Sequence, residues 1–532
     1  MLTRLKKSYL YKLVSAHIEI MSVALGSLIV SAWTMLVFFV KPSTFDLVGQ
    51  QVLSRQWMIG FHSSAVVGPT NYILKIILLY IPLNHLPGSA RLKLVLITLL
   101  LNIVTYILLV FIIKRIYKLF FNNLSNKFYL VSLWLATIAG SMYWINYSNS
   151  RNIEIVGGLF IVYLGLKLNE KTKLLRYFLI AGLSGIVFFA DPLQLYMSAI
   201  PLIVYLGFKF LFYNRSKSEF ITVTKLVVSI FIGYFVSQVL NYLAKRIFGV
   251  KFIGLTTHAQ GYSRVQTLLH GTIPSFKHLA QLYTAGYQLG RVVEAINIGF
   301  TVIIVLIGIY YVFKKLIPRK FSWFVAIFWI SNLFFYVLSG QSLQTGTERY
   351  LIMTVPIMVL VFVSVIQTKH KLRQAILYLT SLVVALNFVV LISNLGIDLN
   401  PSFSKDNHIY SVINFMEANH YSYSYSGMYT GLPSDYFSNG SVNLLPLSCN
   451  PRGNLTASYL FFDASYYKYV TLKDQKYVPL ILDGNQINNL PNICTEQNIV
   501  SEFGSYTSST KLSDGSTVLI YQSNKLQSSL GL

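Results

Sequence analysis

Apolar runs of about twenty residues fill the first three quarters of this chain, and no other feature limits its fold so strongly. A helix needs roughly twenty apolar residues to cross a bilayer. Eleven segments read as crossings, near 18–40, 92–113, 128–145, 153–168, 177–190, 196–213, 222–243, 296–313, 321–339, 351–367 and 375–395. Only 11% of the 532 residues are charged, against roughly 25% in soluble domains, which excludes a water-soluble enzyme. The expected fold is an all-α polytopic membrane bundle over residues 1–395, with outer loops at 41–91 and 244–295. A small α+β extracytoplasmic domain is expected over 396–532.

A net charge of +25 in a soluble protein would point to nucleic acid. Here the basic excess lies entirely before residue 396, with 36 Lys and Arg against 8 acids, whereas the remainder holds 7 against 10. With the N-terminus and its Arg4, Lys6, Lys7 and Lys12 in the cytoplasm, eleven crossings place a basic cluster in every inner loop. Examples are Lys114, Arg115 and Lys118, then Lys167, Lys171, Lys173 and Arg176, then Lys314, Lys315, Arg319 and Lys320. The short outer turns keep only Arg151 and Arg349. Orientation by the positive-inside rule accounts for the charge, so no nucleic-acid partner is expected. The chain is placed in the plasma membrane as a multi-pass protein, its C-terminal domain outside. Tyr72–Leu83 is apolar but too short to cross, and is read as a helix on the outer surface. The first run is longer than the apolar stretch of a cleavable leader and reads as a signal anchor.

In the outer domain, residues 408–420 carry the period of an amphipathic helix. SYLFF, YVPLILD and STVLIYQS read as strands between turn residues. Cys449 and Cys494 both fall here, and outside the cell such a pair is expected to form a disulfide.

Acids are scarce in the apolar part, and an ionisable group near membrane depth is a functional candidate because it is costly to place there. Asp46, Glu154, Asp191, Glu294 and Glu348 all map to the outer side. Asp46 stands six residues after the first span in a loop that also holds Arg55, Trp57 and His62. It suits a general base or a helix cap. Arg151 and Glu154 are spaced to pair on one helix face. Asp191 precedes Pro192, as a helix cap would. The 244–295 loop, with His258, Arg264 and other cations and aromatics, suits an anionic headgroup or attraction to anionic lipid. Its histidines lack metal-ligand spacing; no metal and no cofactor are expected, with a divalent ion left open. Glu348 and Arg349 open the tenth span. An Arg there opposes the helix dipole, so it pairs either with an acid or with an anionic ligand that also meets the helix-end amides.

These residues resemble the polytopic glycosyltransferases of the GT-C type, the class of the protein O-mannosyltransferases and the aminoarabinose transferase of lipid A. The likeness covers roughly residues 1–395. It rests on an inside N-terminus, an acid soon after the first span (Phe45-Asp46-Leu47), and Gly68-Pro69-Thr70-Asn71-Tyr72 leading into a short outer helix. A late Arg349-Tyr350-Leu351 with Pro356 completes it. This chain departs from the pattern at Leu47, where many members carry a second acid, and in having one proline at 69 instead of two. The resemblance implies an inverting transfer of a sugar from a polyprenyl-phosphate carrier, in contact with membrane lipid, to a glycan, lipid or protein acceptor. Asp46 would be the base and Arg349 would face the carrier phosphate, with Glu348, Asp191, Arg151, Glu154, His62, His258 and Arg264 around the substrates. Two other classes stay open: a transporter or flippase of a lipid-linked or polar solute, and a non-catalytic scaffold presenting the outer domain. Transporters concentrate charge near the midplane, whereas here the acids gather at one edge.

Overall fold

A computed structural model describes residues 17–35, 45–61, 65–67, 73–121, 128–138, 148–169, 171–252, 264–282, 290–343, 351–368, 371–398, 407–449, 455–458, 462–482, 496–523 and 527. In chain order the helices up to residue 398 are α1 (His17–Met35), α2 (Phe45–Met58), α3 (Ile73–Asn84), α4 (Ala90–Phe120), α5 (Phe128–Thr137), α6 (Ser148–Leu166) and α7 (Leu174–Ala190). They continue as α8 (Leu195–Tyr213), α9 (Lys217–Phe248), α10 (Arg264–Leu282), α11 (Gly290–Phe313), α12 (Arg319–Leu338), α13 (Thr354–Gln367) and α14 (Arg373–Asp398). Each of the eleven predicted apolar segments is represented by one of these helices. Seven are long and apolar enough to cross a membrane, and α5, α6, α7 and α13 are shorter apolar helices. This is a multi-pass membrane protein. The short helix expected after Tyr72 is α3.

The chain forms two compact units, one of Met1–Val37, Leu99–Leu240 and Leu255–Ile397, the other of Phe38–Thr98, Asn241–Gly254 and Asp398–Leu532.

In the first unit, α13 is buried on nearly every side, with twelve of its residues in the interior. A helix apolar all round belongs in such a position. Trp134 of α5, Phe300 of α11 and Phe362 of α13 pack edge to face at centroid distances of 5.0–6.1 Å. Lipid gives helices little hydrophobic reason to associate, so close packing and interhelical hydrogen bonds hold them together. Asn297 and Asn387 exchange two amide bonds of 2.9 Å between α11 and α14. Trp33 donates to the Thr137 carbonyl, and Asn102 donates to Thr34. Lys114 pairs with Glu19, and Lys209 with Glu219 at 2.6 Å.

Glycines set the closest helix contacts. A Cβ on Gly233 of α9 would stand 2.8 Å from the Ala181 carbonyl oxygen and 3.1 Å from the Gly185 nitrogen of α7. Those are backbone atoms and cannot swing away. Gly233→Leu is expected to force α7 and α9 apart, to cost about 1–3 kcal/mol and to lower the melting temperature in detergent. An unchanged melting curve would show that the two helices do not pack there.

Within the long second loop, α10 presents Val265, Leu269, Ile273 and Phe276 to the outside. Such a stripe fits a helix lying in a membrane interface. On its other side the buried His278 meets the Tyr336 hydroxyl at 2.5 Å.

In the second unit, β1 (Val66–Val67) pairs in parallel with β2 (Lys251–Phe252). The C-terminal region adds α15 (Asn407–Ala418), β3 (Tyr423–Gly427), α16 (Met428–Phe437), β4 (Asn443–Cys449), β5 (Leu455–Ala457), α17 (Ala464–Thr471), β6 (Tyr477–Leu482), α18 (Glu496–Phe503), β7 (Ser508–Lys511) and β8 (Thr517–Gln522). They build a six-stranded sheet of order β5-β4-β3-β6-β8-β7. Strand β3 is parallel to both β4 and β6, and the remaining pairs are antiparallel. The apolar face of α15, with Ile409, Val412, Ile413 and Met416, packs on Leu444, Ile481, Val518 and Ile520 of the sheet. Strands were expected at YVPLILD and STVLIYQS and are found there as β6 and β8. The middle of SYLFF lies outside the described residues; its ends, Ser458 and Phe462, stand outside any strand, and Phe462 packs its ring on Tyr466 and Tyr467 of α17. No disulfide is present among the described residues; Cys494 and the side chain of Cys449 lie outside them.

Candidate functional site

Asp46 is the second residue of α2, so its backbone belongs to the first turn of that helix. Its side chain lies outside the described residues, as do His62, His258, Glu348 and Arg349 and the side chains of Arg151 and Arg264. What the structure places clearly is the scaffold that holds α2. Arg55, in its last turn, donates from Nη1 to the carbonyls of Asp435 and Tyr436, each at 3.2 Å. Those carbonyls end α16, and a cation suits the negative end of a helix. Gln56 accepts from the backbone N–H of Asp463 at 2.8 Å. Asp463 in turn caps α17 through Ser465 and Tyr466. The Trp57 ring stacks on Phe248 at 4.8 Å and 8°. The helix bearing Asp46 is therefore fixed by three consecutive side chains to segments about 190 to 400 residues away.

Lys75 of α3 is only 5% exposed. A lysine buried in an otherwise apolar helix is costly. It directly precedes a π-helical turn, Ile76–Tyr80, a distortion that recurs at functional sites. Sequence reasoning passed over it, although it is the single charge in YILKIILLYIPL.

In the first unit, Glu154 and Asp191 are both buried, at 3% and 0% exposure. Asp191 ends α7 and caps the next segment, its carboxylate accepting from Leu193 N–H at 3.3 Å and from the Gln194 amide at 3.1 Å. Ser198, in the π turn Leu195–Ala199 that opens α8, donates to the Gln194 carbonyl at 2.5 Å. Gly158 stands one turn after Glu154. A Cβ there would run into the Gln194 oxygen and would come within 3.0 Å of Met353 and 3.1 Å of Ser198. The middle of α6, the turn after α7 and Met353 thus meet around Gly158, with the buried Glu154 one turn before it on α6 and the buried Asp191 bonded to Gln194. The sequence singled out both acids by their scarcity. Gln194, Ser198 and Gly158 carry no charge and gave no such signal. Among the described residues no group of three or more His, Cys, Asp or Glu could hold a metal ion.

No family model matches the chain, and no curated protein matches it. Among solved structures it is similar to the crystal structure of ArnT from Cupriavidus metallidurans bound to undecaprenyl phosphate, with a TM-score of 0.53 and 7% sequence identity. The match covers 94% of this chain and 97% of that one. At such identity the likeness is one of fold: the chain has an ArnT-like architecture along nearly its whole length.

Proposed function

We propose that the protein is an integral membrane glycosyltransferase that takes its sugar from a polyprenyl-phosphate donor and passes it to an acceptor at the outer face of the membrane. The observation that carries this reading is the likeness in fold, over nearly the full length of both chains, to a protein crystallised with undecaprenyl phosphate. Supporting it are the acid at the start of α2, soon after the first apolar helix, and the buried acids Glu154 and Asp191. Eleven crossings would leave the N-terminus in the cytoplasm and the C-terminal domain outside, as the distribution of basic residues requires.

In this mechanism the Asp46 carboxylate takes the proton of an acceptor hydroxyl while that oxygen attacks the anomeric carbon from the face opposite the phosphate. The bond to the carrier oxygen breaks, the sugar configuration inverts, and polyprenyl phosphate departs as an anion. Cations stabilise that developing charge, and Arg349 is assigned to it. Glu348, Arg151, His62, His258 and Arg264 are assigned to substrate contacts around it. The mechanism asks nothing of a nucleotide.

Purified protein in nanodiscs, given a radiolabelled polyprenyl-phosphate sugar, a nucleotide sugar and an extract of envelope acceptors, tests the reading. Label is expected to leave the polyprenyl carrier only. Use of the nucleotide sugar, or movement of intact donor across the bilayer without transfer, would overturn it.

A further inference from the structure

A cavity of about 400 Å³ in the second unit is lined by α2, the end of α3, the start of α4, α16 with the turn after it, and α17. Its volume is in the range of small-ligand sites. Two of its lining side chains are almost wholly buried and each presents a polar atom with no hydrogen-bond partner among the described residues. They are Nε2 of Gln56, a residue 2% exposed, and Oδ1 of Asp435, a residue 4% exposed. Buried polar atoms are nearly always paired in native proteins. The Gln56 amide is oriented by its Oε1, which accepts from Asp463 N–H, so the unpartnered end is a donor. The unpartnered atom of an Asp435 carboxylate is an acceptor. One donor and one acceptor in the same small cavity are satisfied together by hydroxyl groups, which both donate and accept.

The same cavity holds two cations. Arg55 spends Nη1 on the α16 carbonyls, which fixes its guanidinium. Its Nη2 faces Gly440, a residue with φ +80° where a Cβ would stand 2.7 Å away, so no side chain covers that edge. Lys93 gives one of its three protons to the Asn84 carbonyl at 3.1 Å. Both keep donors for an anion. Against these two positive charges the lining has one carboxylate, Asp435. Tyr466 adds an aromatic wall, its hydroxyl already donated to Asn443 at 2.6 Å.

We infer that this cavity binds a monosaccharide-sized ligand bearing both hydroxyls and an anionic group, of the class of uronic acids and sugar phosphates. The hydroxyls bridge Gln56 and Asp435, and the anionic group lies against Lys93 and the free edge of Arg55. The inference stands apart from the transferase reading, because it is read as binding and not as turnover.

The test uses the full chain in nanodiscs with glucuronate, galacturonate and glucose 1-phosphate, alongside glucose and inorganic phosphate, measured by calorimetry and saturation-transfer NMR. At least one sugar acid or sugar phosphate is expected to bind tenfold or more tightly than glucose or phosphate. The carboxylate and phosphate arms separate the two sources of charge. Lys93→Met is expected to weaken that ligand about tenfold without strengthening glucose. Ile59→Trp sits at a rim position that is 61% exposed; it should fill the cavity and abolish binding while the melting temperature holds. Phosphate binding as tightly as the sugar phosphate, no panel member binding above its neutral or inorganic counterpart, or binding that survives Ile59→Trp would each overturn the inference.

Discussion

Asp46→Asn is expected to slow sugar transfer by about 10²–10⁴-fold, the usual contribution of a positioned general base, with little change in KM for either substrate. The substitution is chosen because it separates chemistry from structure. Asp46 lies in the first turn of α2, where an acid interacts favourably with the helix dipole by roughly 0.3–1 kcal/mol, and asparagine is about as good as aspartate at helix starts. The fold should therefore lose at most about 1 kcal/mol, visible as a small shift in melting temperature. Two readouts separate a base from a helix support. The acidic limb of the pH–rate profile should flatten, because the group whose deprotonation it reports is gone. Donor binding, measured with the carrier lipid alone, should be retained. A variant that turns over within threefold of the parent would remove Asp46 from the reaction, and the transfer would then need another base among the outer acids.

The bundle was legible because bilayer physics writes itself into sequence as length and charge. Apolar runs separated by basic turns marked eleven segments, each of which is helical, and the twelve-residue run Tyr72–Leu83 was set apart from them by its length and by the charge pattern of the loops that follow. Hydropathy could not tell which helix is innermost. Residues 351–367 are as apolar as their neighbours, and what distinguishes α13 is that all of its faces meet protein rather than lipid. In the C-terminal region β6 and β8 were visible as β-branched runs between turns. Strand β3, with the sequence YSYSG, was not, since alternating Tyr and Ser looks like a half-exposed edge, whereas the strand lies between two parallel partners with Tyr423 to Ser426 buried. The buried acids Glu154 and Asp191 were legible through scarcity. The cavity around Gln56 and Asp435 was not legible at all, because it depends on residues some 380 positions apart meeting through a glutamine and a helix end. No local period encodes such a meeting.

Asp435→Asn is expected to stabilise the protein at neutral pH by up to about 3 kcal/mol. Burial pushes the Asp435 carboxyl from 3.8 up to about 6, and the nearby Arg55 and Lys473 charges offset only part of that rise. The native state therefore holds this proton more tightly than the unfolded chain does. Between pH about 4 and 6 the folded form binds more protons at this position than the unfolded form, so stability falls as pH rises through that window. The loss is complete above about pH 6, and a shift of about two units corresponds to roughly 3 kcal/mol. Below pH 4 both states are protonated and the carboxyl adds no penalty. The groups around it set the sign firmly: Arg55 and Lys473 favour the charged form and have already been counted, and Tyr466, raised by burial and by the Asp435 charge itself, stays neutral. Asparagine keeps the size and a carbonyl acceptor but cannot ionise. Melting temperatures of parent and variant should coincide near pH 4 and diverge progressively to pH 7, the variant melting higher. Parallel curves across that range would mean that the carboxyl titrates normally and that the cavity is open to water. A buried acid that weakens the fold at neutral pH is a position where replacement is expected to raise stability, and the pH dependence of that gain is what ties it to the carboxyl rather than to packing.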